Sequence, residues 1–195
     1  MAHWVRYDHR GALGFGVLRN GVISIFDGDM FANPVPTGAT VALEDVNVLP
    51  PAQPSKIVCL WNNSRELAAK LNIAIPSEPL YFLKATTSAV GTGDSIKAPD
   101  SYSGKVVYEG ELGVVIGTRC RSVPEGDAAR HVFGYTCVND VTAAEIVNRD
   151  AAFAQWTRAK SFDTFAPLGP VIGPGASVAL DNTGLVHSHE WRTSI

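Results

Sequence analysis

Cysteine is scarce in this chain. Cys59, Cys120 and Cys137 are odd in number and far apart in 195 residues, which excludes a disulfide framework and matches no zinc spacing. They are expected to be small buried hydrophobes in a reducing compartment. Charge is sparse too. At 18% charged residues, a net charge of −3 and no Lys/Arg cluster, nucleic acid and anionic membranes are excluded as expected partners. No apolar run approaches transmembrane length, and the opening Met1-Ala-His-Trp-Val-Arg-Tyr-Asp8 has no basic region followed by an apolar stretch. These absences point to a cytoplasmic protein. A Gly-x-Ser-x-Gly elbow is missing, so a serine hydrolase has no support. Gly91-Thr-Gly93 precedes no helical pattern and reads as a turn, not a phosphate loop.

What is present is largely β signal. The chain is 46% hydrophobic, enough for one core and a small appended lobe. Leu13–Arg19 and Val22–Phe26 flank Asn20-Gly21, the strongest short-range signal for a type I′ hairpin. Pro34, Pro36, Pro50, Pro51 and Pro54 then punctuate a stretch with one short apolar run, Thr40–Leu43. This places a small N-terminal β lobe over residues 1–52 and a second domain over residues 53–195. Lys56–Trp61 reads as a short buried strand, Ser64–Leu71 as a helix capped by its serine, and Leu80–Lys84 as a strand. Pro124–His131 suggests a helical turn before a strand over His131–Val138, and Thr142–Arg149 a short helix. The periodicity supports a β-rich α+β fold.

Glu109 and Glu111 stand out in the β-branched run Lys105–Gly117. Strand side chains alternate faces, so Glu-x-Glu aims two carboxylates at one volume. Asp140, in Gly134–Thr142, offers a third acid, although from the residues alone an Asn-Asp turn capping the next helix is the preferred account. Three carboxylates without His or Cys make a hard, all-oxygen set. That favours Mg²⁺ or Mn²⁺, with Ca²⁺ accommodated by looser geometry.

The stretch from Lys56 to about Ile172 resembles the fumarylacetoacetate hydrolase family. The likeness is carried by Phe82-Leu-Lys84, Tyr108-Glu-Gly-Glu-Leu112, Gly134–Asp140 and the long segment Gln155–Pro170, in one collinear order. The resemblance implies a mixed β-roll around one active-site cavity, with Glu109, Glu111 and Asp140 as metal ligands. It implies that Lys160 is the active-site lysine, stabilising negative charge on a metal-bound enolate. Lys84 also falls in a family-like motif as a substrate-binding residue, though a strand lysine snorkelling to water is an equal account. The substrate implied is a 2-oxo acid or 1,3-dicarbonyl, undergoing carbon–carbon hydrolysis, decarboxylation or isomerisation in aromatic catabolism. The assembly implied is a homodimer.

The chain also departs from that pattern. Aligned on Asn63, Ser64, Leu67 and Lys70 stand where the family's tyrosine and its water-activating His/Glu dyad are expected. Ala144 and Val147 replace the arginine and glutamine that hold substrate after the metal aspartate, leaving Arg158 or Arg149 to bind an anion. The family's closing Gly-Asp-x-Ile-x-x-Gly-Thr stretch is absent. Isomerase or decarboxylase chemistry is therefore easier to accommodate than hydrolysis. The alternative is a non-catalytic metal-binding fragment that needs a partner to complete its fold. His187, His189 and Glu190 could chelate a metal but read more simply as a tail.

Overall fold

A computed structural model describes residues 2–174; His187, His189 and Glu190 lie outside the described residues. The chain opens with a meander of β1 (Trp4–His9), β2 (Ala12–Arg19), β3 (Val22–Asp27) and β4 (Val35–Ala42), and β5 (Asn47–Leu49) returns to pair with β1. Asn20 and Gly21 adopt φ of 50° and 78°, as the expected type I′ turn requires. A second tight turn, Arg10-Gly11 with φ of 56° and 87°, joins β1 to β2. Sequence patterning gives no notice of it, because arginine seldom occupies the left-handed region. Here the Asp8 carboxylate accepts the Gly11 N–H at 2.6 Å and supports the turn.

β6 (Ile57–Trp61) and β7 (Leu80–Lys84) pair antiparallel as a separate ribbon, joined through α1 (Arg65–Leu71). Ser64 caps α1 as expected, its side chain accepting the Leu67 N–H at 3.3 Å. The expectation that β6 is buried needs correction. Cys59 is buried, but Val58 and Leu60 are exposed opposite Leu83 and Tyr81, so the ribbon presents an open apolar face.

Next come β8 (Ala89–Val90), β9 (Val106–Val107), β10 (Gly110–Ile116), β11 (Val132–Asn139) and β12 (Thr142–Ala143). The short helices α2 (Ala144–Val147) and α3 (Trp156–Lys160) precede β13 (Ala166–Gly173). The main sheet runs β10-β11-β13-β1-β2-β3-β4, so the first strands share one sheet with the last, Trp4 lying opposite Ile172. β11 and β13 approach closely because Gly134 has no side chain; a Cβ there would sit 2.5 Å from the Gly173 carbonyl oxygen.

Two apolar clusters hold the described structure together. One gathers Val5, Tyr7 and Ile23 within the meander, and the other gathers Val141, Ala143, Ile146, Ala159 and Phe165 beside β12 and the two short helices. The helix expected over Thr142–Arg149 is shorter than its pattern suggests. Thr142 and Ala143 pair with Val107 and Val106, and this strand pairing displaces the first helical turn. The cysteine expectation holds for Cys59 alone. Cys120 and Cys137 are exposed, Cys137 because its side chain faces the open side of β11.

Candidate metal and lysine site

Asp140 sits just past the end of β11, held on both sides by the backbone. Its N–H donates to the Glu109 carbonyl at 2.9 Å, and the next N–H, from Val141, donates to Phe165 at 3.2 Å. The β10–β11 register sets Gly110 opposite Asn139 and Glu111 opposite Val138. Glu109 therefore lies in the link before β10 and not within the strand, but it still reaches the same volume. Carboxylate oxygens of Glu109, Glu111 and Asp140 lie within 4.8 Å of one another. At that separation the three carboxylates could converge on one cation after side-chain adjustment. The three carboxylates fit a hard divalent cation.

Asp140 is not a helix cap; Ala143 holds that position without a side-chain bond. It is instead the shared partner of two lysines. Lys84, from β7, donates to Asp140 Oδ1 at 2.5 Å and to the Val141 carbonyl at 3.1 Å. Lys160, from the end of α3, donates to Asp140 Oδ2 and lies 3.4 Å from Glu109 Oε1. Lys84, Asp140 and Lys160 are 2%, 1% and 2% exposed, so neither lysine is a surface residue snorkelling to water. A carboxylate offers about four lone-pair directions, so Asp140 has capacity left for a cation beside its two ammonium partners.

Burial shapes the charges. It pushes Glu111 up to about 7, helped by the neighbouring negative charges of Asp140 and Glu109. It lowers Lys84, against the opposing pull of Asp140. Cys59, on the inward face of β6, is pushed up to about 12 by burial and then by Asp140. It remains a thiol at neutral pH in the metal-free chain.

The remaining expected residues fall elsewhere. Arg158 is exposed on α3 and donates to Gln155 Oε1 at 3.0 Å, outside the carboxylate cluster. It lines a cleft of about 760 Å³ together with Tyr81, Leu83, Phe153, Phe82 and Trp156. None of the three carboxylates lines that cleft, which adjoins the lysine site through Phe82, Trp156 and Ser161. Leu67 and Lys70, at the dyad positions, are both exposed on α1. Arg149 is also exposed. Trp61 and Trp156 read from the sequence as core or pocket-wall aromatics, and with Phe82 they form a wall around Lys160 that the residues alone did not assign to it. The sequence reading missed two buried acceptors flanking Asp140, Asn139 Oδ1 and Thr142 Oγ1, neither of which has a partner among the described residues. An amide and a hydroxyl in β-rich sequence carry no pattern that would mark them.

Residues 56–188 match the model of the fumarylacetoacetate (FAA) hydrolase C-terminal domain, and residues 2–51 match the Rv2993c-like N-terminal model. An uncharacterised protein from Archaeoglobus fulgidus is 51% identical over 135 residues, covering 69% of this chain and 52% of its own. The oxaloacetate tautomerase YisK of Bacillus subtilis is 39% identical over 132 residues, covering 66% of this chain and 43% of its own. The crystal structure of 2-hydroxyhepta-2,4-diene-1,7-dioate isomerase from Mycobacterium marinum superposes with a TM-score of 0.77 at 33% identity, covering 88% of this chain and 66% of that one. The chain spans about half the length of the curated relatives it matches. With 133 of its 195 residues inside the family model, the chain belongs to the fumarylacetoacetate hydrolase family.

Proposed function

We propose that this chain carries the catalytic centre of a metal-dependent enzyme acting on a 2-oxo acid or 1,3-dicarbonyl, by tautomerisation or isomerisation in preference to hydrolysis. The observation that carries the reading is the convergence of two buried ammonium groups on a cluster of three carboxylates. Glu109, Glu111 and Asp140 would hold Mg²⁺ or Mn²⁺. When bound, such a cation supplies Lewis-acid charge to the oxygens of a chelating oxo acid. Lys160 would donate a hydrogen bond to the oxygen that becomes negative when a carbon-bound proton passes to a solvent water, and water returns a proton at the other position to complete the tautomerisation. Lys84 holds Asp140 in place and, with Arg158 at the neighbouring cleft, is proposed to meet the substrate's acidic groups. The exposed Leu67 and Lys70 provide no water-activating base, which favours proton relocation over carbon–carbon hydrolysis. The names of the relatives, an oxaloacetate tautomerase and a diene-dioate isomerase, support the same class.

The proposal extends to a mixed β-roll around this site, a division into residues 1–52 and 53–195, a cytoplasmic location and a homodimer. A second reading, a metal-binding fragment completed by a partner, is favoured by the open apolar face of Val58, Leu60, Tyr81 and Leu83.

Calorimetric titration with Mn²⁺ and then oxalate, an enolate mimic, separates the readings. Tight Mn²⁺ binding that is lost in Glu111→Ala, followed by metal-dependent oxalate binding, is expected. A folded chain that binds neither would overturn the site. Turnover of enol oxaloacetate is expected under the first reading, and Mn²⁺ binding without turnover under the second.

Proton linkage adds a sign that calorimetry can check. Glu111 must be ionised to bind metal, so below about pH 7 each ion bound displaces one proton. The affinity should then fall about tenfold per pH unit and level off above pH 7. In the metal-free chain the same raised value means that ionising Glu111 disfavours the fold. Its contribution to stability is full below 4.5 and lost as pH rises through about 7. Metal binding should remove that loss, and melts with and without Mn²⁺ at both ends of this range test it.

A further inference from the structure

Two contacts around Lys160 involve neither a metal ligand nor a charged partner. The rings of Phe82 and Trp156 stack at 5.8 Å with 22° between planes, and the Lys160 ammonium lies 5.2 Å and 5.9 Å from their centroids. Trp61 packs against Trp156 at 6.1 Å and backs this wall. The second contact joins the two lysine-bearing elements at the residue after each lysine. Ala85, which follows Lys84, donates its N–H to the hydroxyl of Ser161, which follows Lys160, at 2.9 Å. One hydrogen bond between residues 76 positions apart thus sets the spacing of both ammonium groups over Asp140.

We propose that Phe82, Trp156 and Ser161 are the positioning residues of Lys160, holding its ammonium in place and aimed into the carboxylate cavity while Asp140 shares its charge with a cation. The physical need follows from the geometry. A lysine side chain has four rotatable bonds, and its strongest anchor here is a carboxylate it must share with Lys84 and with any bound ion. A divalent cation weakens that anchor by drawing on the same negative charge, whereas the negative faces of the aromatic rings stay available to the ammonium. The Ser161 bond fixes the backbone from which the side chain is cantilevered. This inference rests on the reading of Lys160 as the group that stabilises the reacting oxygen.

The test compares wild type with Trp156→Phe, Trp156→Leu, Ser161→Ala and Ser161→Thr. Each is first checked by thermal melting and Mn²⁺ titration, then assayed for enol oxaloacetate turnover at saturating Mn²⁺. Mn²⁺ affinity should stay within about twofold of wild type in all four, because none of the changed side chains is a ligand. Trp156→Leu and Ser161→Ala should each lower kcat about tenfold with little change in KM, while Trp156→Phe and Ser161→Thr retain most of it. A wall that only fills space predicts that leucine and phenylalanine fall alike. That result, or a folded Trp156→Leu with wild-type kcat, would overturn the aromatic role, and a wild-type kcat in Ser161→Ala would overturn the hydroxyl's. If Trp156→Leu does not fold, the Ser161 pair decides.

A readout without turnover keeps this inference separate from the proposed function. Acetylation of Lys160 by an N-hydroxysuccinimide ester, followed by peptide mass spectrometry, should be slow in wild type and Trp156→Phe. It should be about tenfold faster in Trp156→Leu and Ser161→Ala, where the ammonium swings free. If wild type shows no turnover but this ordering holds, the reading of the reaction fails and the positioning survives. Equal rates in all variants would overturn it.

Discussion

Asp140→Ala should destabilise the metal-free chain by about 3–5 kcal/mol, the largest loss expected from any single side chain of the site. The argument is one of uncompensated charge. Lys84 and Lys160 are both buried and both hydrogen-bonded to this one carboxylate. Without it, two ammonium groups face each other in a water-poor pocket, and at least one must shed its proton or drag water inward. Asp140→Asn retains volume and an acceptor but no charge, so it should recover only part of the loss. Lys84→Met offers the contrast. It removes one of two cations and leaves Asp140 paired with Lys160, with an apolar chain of similar length in a buried strand position. That change should cost little stability and could even raise it. Urea unfolding of the three variants checks the order. If Asp140→Ala proves as stable as wild type, the buried lysine–aspartate–lysine arrangement is wrong.

Lys160→Met should lower kcat by about 10²–10³-fold on enol oxaloacetate while Mn²⁺ affinity stays close to that of wild type. Asp140 keeps Lys84 as a partner in this variant, so folding should survive. The side chain removed holds the charge that the proposed mechanism places against the reacting oxygen, and nothing else among the described residues sits equivalently over Glu109. Lys160→Arg should not rescue it. The guanidinium is planar and wider than an ammonium, and the space around Lys160 Nζ is set by Phe82, Trp156 and Asp140. Wild-type turnover in a folded, metal-loaded Lys160→Met would remove Lys160 from the chemistry.

Much of the fold was legible in the residues. Asn20-Gly21 announces its hairpin because only residues tolerant of positive φ can make that turn. Ser64 announces α1 because it can accept an orphan N–H. Where patterning failed, partners overrode local preference. Thr142 and Ala143 look helical with the residues that follow, yet pairing with β9 draws them into a strand. The run Ile57–Trp61 looks buried throughout, yet its ribbon covers only one face. Cys120 lies between Arg119 and Arg121, a context that already argues against burial, while Cys137 is exposed because which face of a strand meets the core is not a local property.

The site divides in the same way. The residues alone specify the chemistry of the donors: three carboxylates, no soft ligand, and lysines in motifs with a family likeness. This follows because ligand hardness and charge belong to the side chains themselves. Tertiary structure decided everything that depends on distance and exclusion of water. It drew Glu109, from a link, into the same volume as Glu111 and Asp140, and brought Lys84 and Lys160 onto one carboxylate from elements 76 residues apart. It also left Arg158, as legible in sequence as Lys160, on an exposed helix surface. Burial made the difference, since an ammonium held dry between a carboxylate and two aromatic rings is a different chemical group from one in water, and no reading of neighbouring residues reveals which of the two a lysine will become.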